Sequence, residues 1–172
     1  MNITPLHDAA SRGETEKIKE LLSQGMDVNG RDNFGDSALH CAAANNQTNC
    51  MRTLVEAKAN INVANKAGNT PLHKAAENGN ARSISTLVDL KANIHQRNHE
   101  GETALHLAAR NNHKDAVHDL LMLGADPKVK DLRGRTAKKL AKATHAMAVL
   151  ATIEEFYSKQ SLLWKIKEMF SG

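Results

Sequence analysis

A four-residue phrase returns along this chain every 33 residues, and that period constrains the fold more than any other feature. It reads Thr4-Pro5-Leu6-His7, Ser37-Ala38-Leu39-His40, Thr70-Pro71-Leu72-His73 and Thr103-Ala104-Leu105-His106, with a worn fifth copy at Thr136-Ala137-Lys138-Lys139. No insertion or deletion breaks the register. A fixed period of this length predicts a stack of small units rather than one globular core. It also moves the question of function from a catalytic pocket to an extended surface.

Residues 65–97 show what one unit should build. Asn65-Lys66-Ala67-Gly68-Asn69 is a turn sequence, and Gly35, Gly101 and Gly134 stand where Gly68 does. Thr70 suits an N-cap, with Pro71 at the first helical position. Leu72, Ala75 and Ala76 give a short helix its apolar stripe. Gly79 ends it, and Gly13, Asn46 and Asn112 hold the same place; glycine and asparagine best tolerate a left-handed turn. Ile84, Leu87 and Val88 then follow at helical spacing, matched by Ile18, Leu21 and Leu22, by Met51, Leu54 and Val55, and by Val117, Leu120 and Leu121. Each unit is therefore read as turn, short helix, turn, longer helix. None can bury its apolar faces alone, so neighbours must stack.

These residues resemble the ankyrin repeat, through the Thr-Pro-Leu-His helix start, the pairs Ala9-Ala10, Ala42-Ala43, Ala75-Ala76 and Ala108-Ala109, the Gly or Asn break, and exits such as Gly25-Met26-Asp27-Val28-Asn29. The resemblance spans about residues 2 to 156. It implies an all-α solenoid of stacked antiparallel helix pairs with hairpin-like finger turns. The expected domain is 1–156, in units of about 1–31, 32–64, 65–97, 98–130 and 131–156, the last a polar cap. Residues 157–172 are expected to form a separate C-terminal amphipathic helix that packs on the last repeat. Leu162, Leu163, Ile166, Met169 and Phe170 share one face of it, Trp164 points elsewhere, and Lys159, Lys165 and Lys167 carry charge. Lys58 and Lys91 occupy left-handed exits where Gly25 and Gly124 stand in other units, at a cost of about 1 kcal/mol each.

The resemblance also implies that the protein binds another protein through finger tips and inner helices of a concave face, as an adaptor, an inhibitor or an effector delivered by a bacterium into a host cell. The positions that carry contacts in the family map here onto Arg12, Arg31, Asn33, Phe34, Asp36 and Asn45 in the first two units. In the third they map onto Lys66, Asn69, Glu77 and Asn78. Arg97, His99, Glu100, Glu102, Arg110 and Asn111 follow, then Lys130, Leu132, Arg133 and Arg135. Phe34 and Leu132 would be exposed apolar groups at finger tips.

Other classes find little support. No Gly-rich phosphate loop, nucleophile elbow or HExxH sequence occurs, so no catalytic, cofactor or metal residue is assigned and the chain is read as a non-enzyme. The column His7, His40, His73, His106 puts one ring in each repeat, about 10 Å apart, too far to converge on one ion, and is read as a structural hydrogen-bond ladder. Cys41 and Cys50 have no CxxC partner and suit a reducing compartment as small apolar residues. With no signal segment and no long apolar run, a monomer in the cytoplasm is expected, or in the host cytoplasm for a delivered effector.

The charge is uneven. Residues 128–142 carry seven basic residues (Lys128, Lys130, Arg133, Arg135, Lys138, Lys139 and Lys142) and one acidic one, a local charge of +6 against +4 for the whole chain. Arg135, Lys138, Lys139 and Lys142 would form one stripe if a single helix carried them. The patch reads as a solvated cap or a seat for an acidic protein. Anionic lipid or nucleic acid is the alternative ligand.

Overall fold

The structure is a computed structural model that describes the backbone of residues 4–170 and the side chains of residues 4–163. Ten helices among the described residues form five pairs: α1 (Pro5–Arg12) with α2 (Thr15–Ser23), α3 (Ala38–Ala44) with α4 (Thr48–Glu56), α5 (Pro71–Glu77) with α6 (Ala81–Asp89), α7 (Ala104–Arg110) with α8 (Lys114–Met122), and α9 (Ala137–Ala143) with α10 (Met147–Phe170). The odd-numbered helices pack on one another as an inner row and the even-numbered helices as an outer row. No strand occurs among the described residues, and one isolated antiparallel bridge joins Arg31 to Ser37 across the first finger. The repeat architecture expected from the sequence is the one observed.

The inner helices have seven or eight residues, too short to hold together alone in water. Burial between neighbours supplies what propensity cannot. Leu6, Leu39, Leu72 and Leu105 are all at most 1% exposed, and each contributes on the order of 2 kcal/mol. The Ala-Ala pairs beside them are buried too, and their small size lets the inner row approach closely. The turn between paired helices is set by a left-handed residue: Gly13, Asn46, Gly79, Asn112 and, in the fifth pair, His145.

Each outer helix except the last ends the same way. Gly25, Lys58, Lys91 and Gly124 all have positive φ, so both lysines do sit in strained exits. Tyr157 holds the corresponding place in the fifth unit, and there the helix continues. The expected boundary between 156 and 157 therefore has no counterpart in the backbone. No sixth unit lies against α10 among the described residues to draw the chain out, and Ser158 to Leu163 contain no helix breaker. Of the tail, the described part is divided: Phe156 and Tyr157 are the last of the described side chains packed against the core, and Leu162 and Leu163 are 59% and 62% exposed. Trp164, Lys165, Ile166, Lys167, Met169 and Phe170 lie outside the described side chains.

Candidate functional site: the finger face

The finger turns are held to the helices by the histidine column. Nδ1 of His40, His73 and His106 accepts from the backbone amide of the residue that begins its own motif, at 3.1 Å from Ser37 and 3.2 Å from Thr70 and Thr103. With Nδ1 an acceptor, the proton sits on Nε2, which donates to the next finger: His40 to the Asn69 carbonyl at 2.9 Å, His73 to Glu102 at 3.1 Å, His106 to Arg135 at 3.1 Å. His7 lies 2.9 Å from the Asp36 carbonyl in the same way. A second proton would face a backbone N–H. Burial pushes His73 down to about 4, and burial likewise lowers His40 and His106. The rings of His40, His73 and His106 are thus neutral, and the column is a set of structural clasps, as the sequence suggested.

Within each finger a carboxylate or amide oxygen closes the turn. Oδ1 of Asp32 accepts from the Phe34 and Asp36 amides, Asn65 from Ala67 and Asn69, Asn98 from Glu100 and Glu102, and Asp131 from Arg133 and Arg135, all at 2.8–3.0 Å. Successive fingers are joined by backbone bonds, Lys66 to the Phe34 carbonyl at 3.0 Å, His99 to Ala67 at 3.1 Å and Leu132 to Glu100 at 2.9 Å. A Cβ on Gly68 would fall 2.6 Å from the His99 amide nitrogen, whereas one on Gly134, with no finger beyond it among the described residues, would meet nothing within 4 Å. The Asp or Asn at 32, 65, 98 and 131 was missed in the sequence, although its 33-residue spacing was there to be seen.

The sequence-selected residues divide sharply on this frame. Asn33, Phe34, Lys66, His99, Glu100, Lys130, Leu132 and Arg133 are exposed, and their side chains have no hydrogen-bond or ion-pair partner among the described residues. Others have structural tasks. Arg31 donates to the Ala64 carbonyl at 2.8 Å, and Arg97 donates to Gly101 at 2.9 Å and Lys130 at 2.7 Å. Asp36 accepts from Asn65, and Asn69 accepts from Asn98. Asn45, Asn78 and Asn111 donate to backbone carbonyls, and Arg12 pairs with Asp8 at 3.1 Å.

Glu102 is a correction. It is 1% exposed, out of a partner's reach, because Arg110 reaches back to it at 2.8 Å and makes the buried charge tolerable. Lys74 was overlooked. It pairs with Glu77 at 2.8 Å, and both line an open groove of 390 Å³ against Phe34, Lys66 and Asn69. Its spacing of three from Glu77 on the same helix was the available signal.

The basic stripe also changes. Arg135 precedes α9 and turns to Asp131 at 2.7 Å instead of joining a helical row. Burial pushes the Asp131 carboxyl up, but the Arg135 amide, guanidinium and charge outweigh it and hold the group below the usual carboxylate range. Lys138 pairs with Glu154 on α10 at 3.0 Å. Lys139 and Lys142 remain exposed, beyond the last finger.

Burial pushes the Cys41 thiol up to about 12, so it is protonated and unreactive at neutral pH, and neither cysteine is in a disulfide. Among the described residues, no group of three His, Cys, Asp or Glu could hold a metal ion, and no helix is long and apolar enough to cross a membrane. A family model described as ankyrin repeats matches residues 1–65 and 58–131, in three copies. No curated protein matches the chain. The fifth helix pair lies beyond the matched residues, yet α9 packs on α7 and α10 on α8.

Proposed function

Because the chain belongs to the ankyrin-repeat family, whose members generally act as protein–protein interaction modules and are typically non-catalytic, we propose that it binds another protein through the finger tips and the groove beneath them. One observation carries this reading. The tips of all four fingers bear side chains with no task in the fold, on a frame whose buried side-chain nitrogens and oxygens, among the described residues, all have a hydrogen-bond partner. The frame is held by hydrogen bonds between fingers, so little ordering entropy is lost on binding. Phe34 and Leu132, 65% and 73% exposed, are the natural apolar anchors. The protein acts as a monomeric adaptor, inhibitor or effector, without chemistry of its own. The free thiols of Cys41 and Cys50 suit a reducing compartment such as the cytoplasm, including a host cell's for a delivered effector.

Affinity capture from lysate with mass spectrometry tests it. Phe34→Ala with Lys66→Glu and Arg133→Glu should abolish recovery of a discrete partner, and Arg52→Glu with Arg82→Glu on the outer helices should not. Partners that survive the finger substitutions and fall with the outer ones would sink the proposal.

A further inference from the structure

The finger face treats its two signs of charge differently. Five acidic residues lie in the four fingers, and four of them are turned to structural work: Asp32 closes a turn, Asp36 accepts from Asn65, Glu102 is buried against Arg110 and Asp131 against Arg135. Glu100 alone is exposed. Of the basic residues, Lys66, Lys130 and Arg133 are exposed with no partner among the described residues, Arg31 and Arg97 are exposed though each donates to the backbone, and Arg135 is held by Asp131. Lys139 and Lys142 are exposed on α9, which begins where the fourth finger ends. The outer side shows no such bias: segments 14–25, 47–59, 80–92 and 113–124 expose six acidic and seven basic residues. A formal count hides this asymmetry, because it weighs a buried carboxylate and an exposed ammonium equally.

We infer that the edge running from Arg97 through Lys130, Leu132 and Arg133 to Lys139 and Lys142 binds an acidic protein segment that places an apolar side chain on Leu132. This rests on the protein-binding function proposed above and names the chemistry of the partner. Arg97 already donates to Gly101 and Lys130, and Arg135 is held by Asp131, which leaves lysines and Arg133 as diffuse positive charge that attracts an acidic ligand. One feature favours a peptide segment over a nucleic acid. Leu132, in the middle of these charges and 73% exposed, offers an apolar contact that a phosphate chain cannot use and a peptide side chain can.

The test is selection of 12-residue peptides from a random displayed library on the intact protein. Selected peptides are then titrated against wild type, Leu132→Ser, and Arg133→Glu with Lys139→Glu and Lys142→Glu, each first shown to melt like wild type. Enriched peptides should be acidic with one apolar residue. They should lose at least tenfold in affinity on either variant and weaken as salt is raised. A selected set that is neutral or basic but still depends on Phe34 or Leu132 would overturn the acidic partner and leave the protein-binding reading standing. So would tighter binding of a single-stranded RNA 12-mer or of phosphatidylserine vesicles at the same residues. Acidic peptides that bind the charge-reversed variant equally well, or no enrichment over an uncoated surface, would also overturn it.

Discussion

The third and fifth repeats begin with the same turn and the same threonine cap, yet they end as different structures. In the third, His73 joins Thr70 to the Glu102 carbonyl of the following finger, Gly68 lies under His99, and Lys91 is bent into a left-handed exit. In the fifth, Lys139 replaces the histidine and only its amide meets Thr136, at 3.3 Å. Gly134 has nothing over it, and the helix runs straight through Tyr157. What separates them is the presence of a neighbour on the far side. Much of a repeat's geometry is imposed by the next one, so a repeat is stable as part of a stack rather than by itself.

If that is right, the histidine matters only where there is a finger to hold. His73→Ala should cost about 3 kcal/mol in denaturant unfolding, since it leaves a cavity and buried groups of Thr70 and Glu102 unpaired, while Lys139→Ala should change stability by no more than about 0.5 kcal/mol. Equal losses would break the comparison. The same ring predicts a pH dependence. Its folded pKa is about 4, below the ordinary 6.5, so the unfolded chain binds the proton first. Stability is full above pH 6.5, falls as pH drops and has lost on the order of 3 kcal/mol from His73 near pH 4. Unfolding curves between pH 7 and 4 should show this slope, and His73→Gln should flatten it while lowering stability at pH 7.

Glycine sharpens the contrast. Gly68→Ala combines left-handed strain with a backbone clash and should cost about 2 kcal/mol or more; Gly134→Ala carries the strain alone, about 1 kcal/mol. Their order of melting temperatures checks it. At the exits, Lys58→Gly or Lys91→Gly relieves a positive φ and should stabilise by up to about 1 kcal/mol. If both melt at or below wild type, the strain assigned to these turns is wrong. The smallest effect belongs to the projecting part of α10. Leu162→Ser with Leu163→Ser should shift stability by no more than about 0.5 kcal/mol, whereas a tail folded over the last repeat would lose several times that.

Most of the fold was legible because period and local chemistry agree. Thr70, Pro71 and Gly79 mark a helix start and stop by rules that act over a few residues, and the register carries them along the chain. The finger tips were legible for the same reason: Asn33, Phe34, His99 and Leu132 stand one or two positions from a glycine that must turn. Glu102 was misplaced because its fate depends on Arg110, eight residues later, and no local rule says which way that arginine swings. The stripe at 135–142 was misdrawn because Arg135 prefers Asp131 to the helix face.

The sequence by itself determined the number of units, the helix starts and stops of the first four, the left-handed turns and the role of the histidine column, since all of these follow from backbone preferences repeated at a fixed interval. Only the tertiary structure decided which charges face water and which are engaged, and that the last helix does not turn. Those outcomes depend on what stands opposite each residue in the next repeat, and a chain read one position at a time does not contain that information in local form.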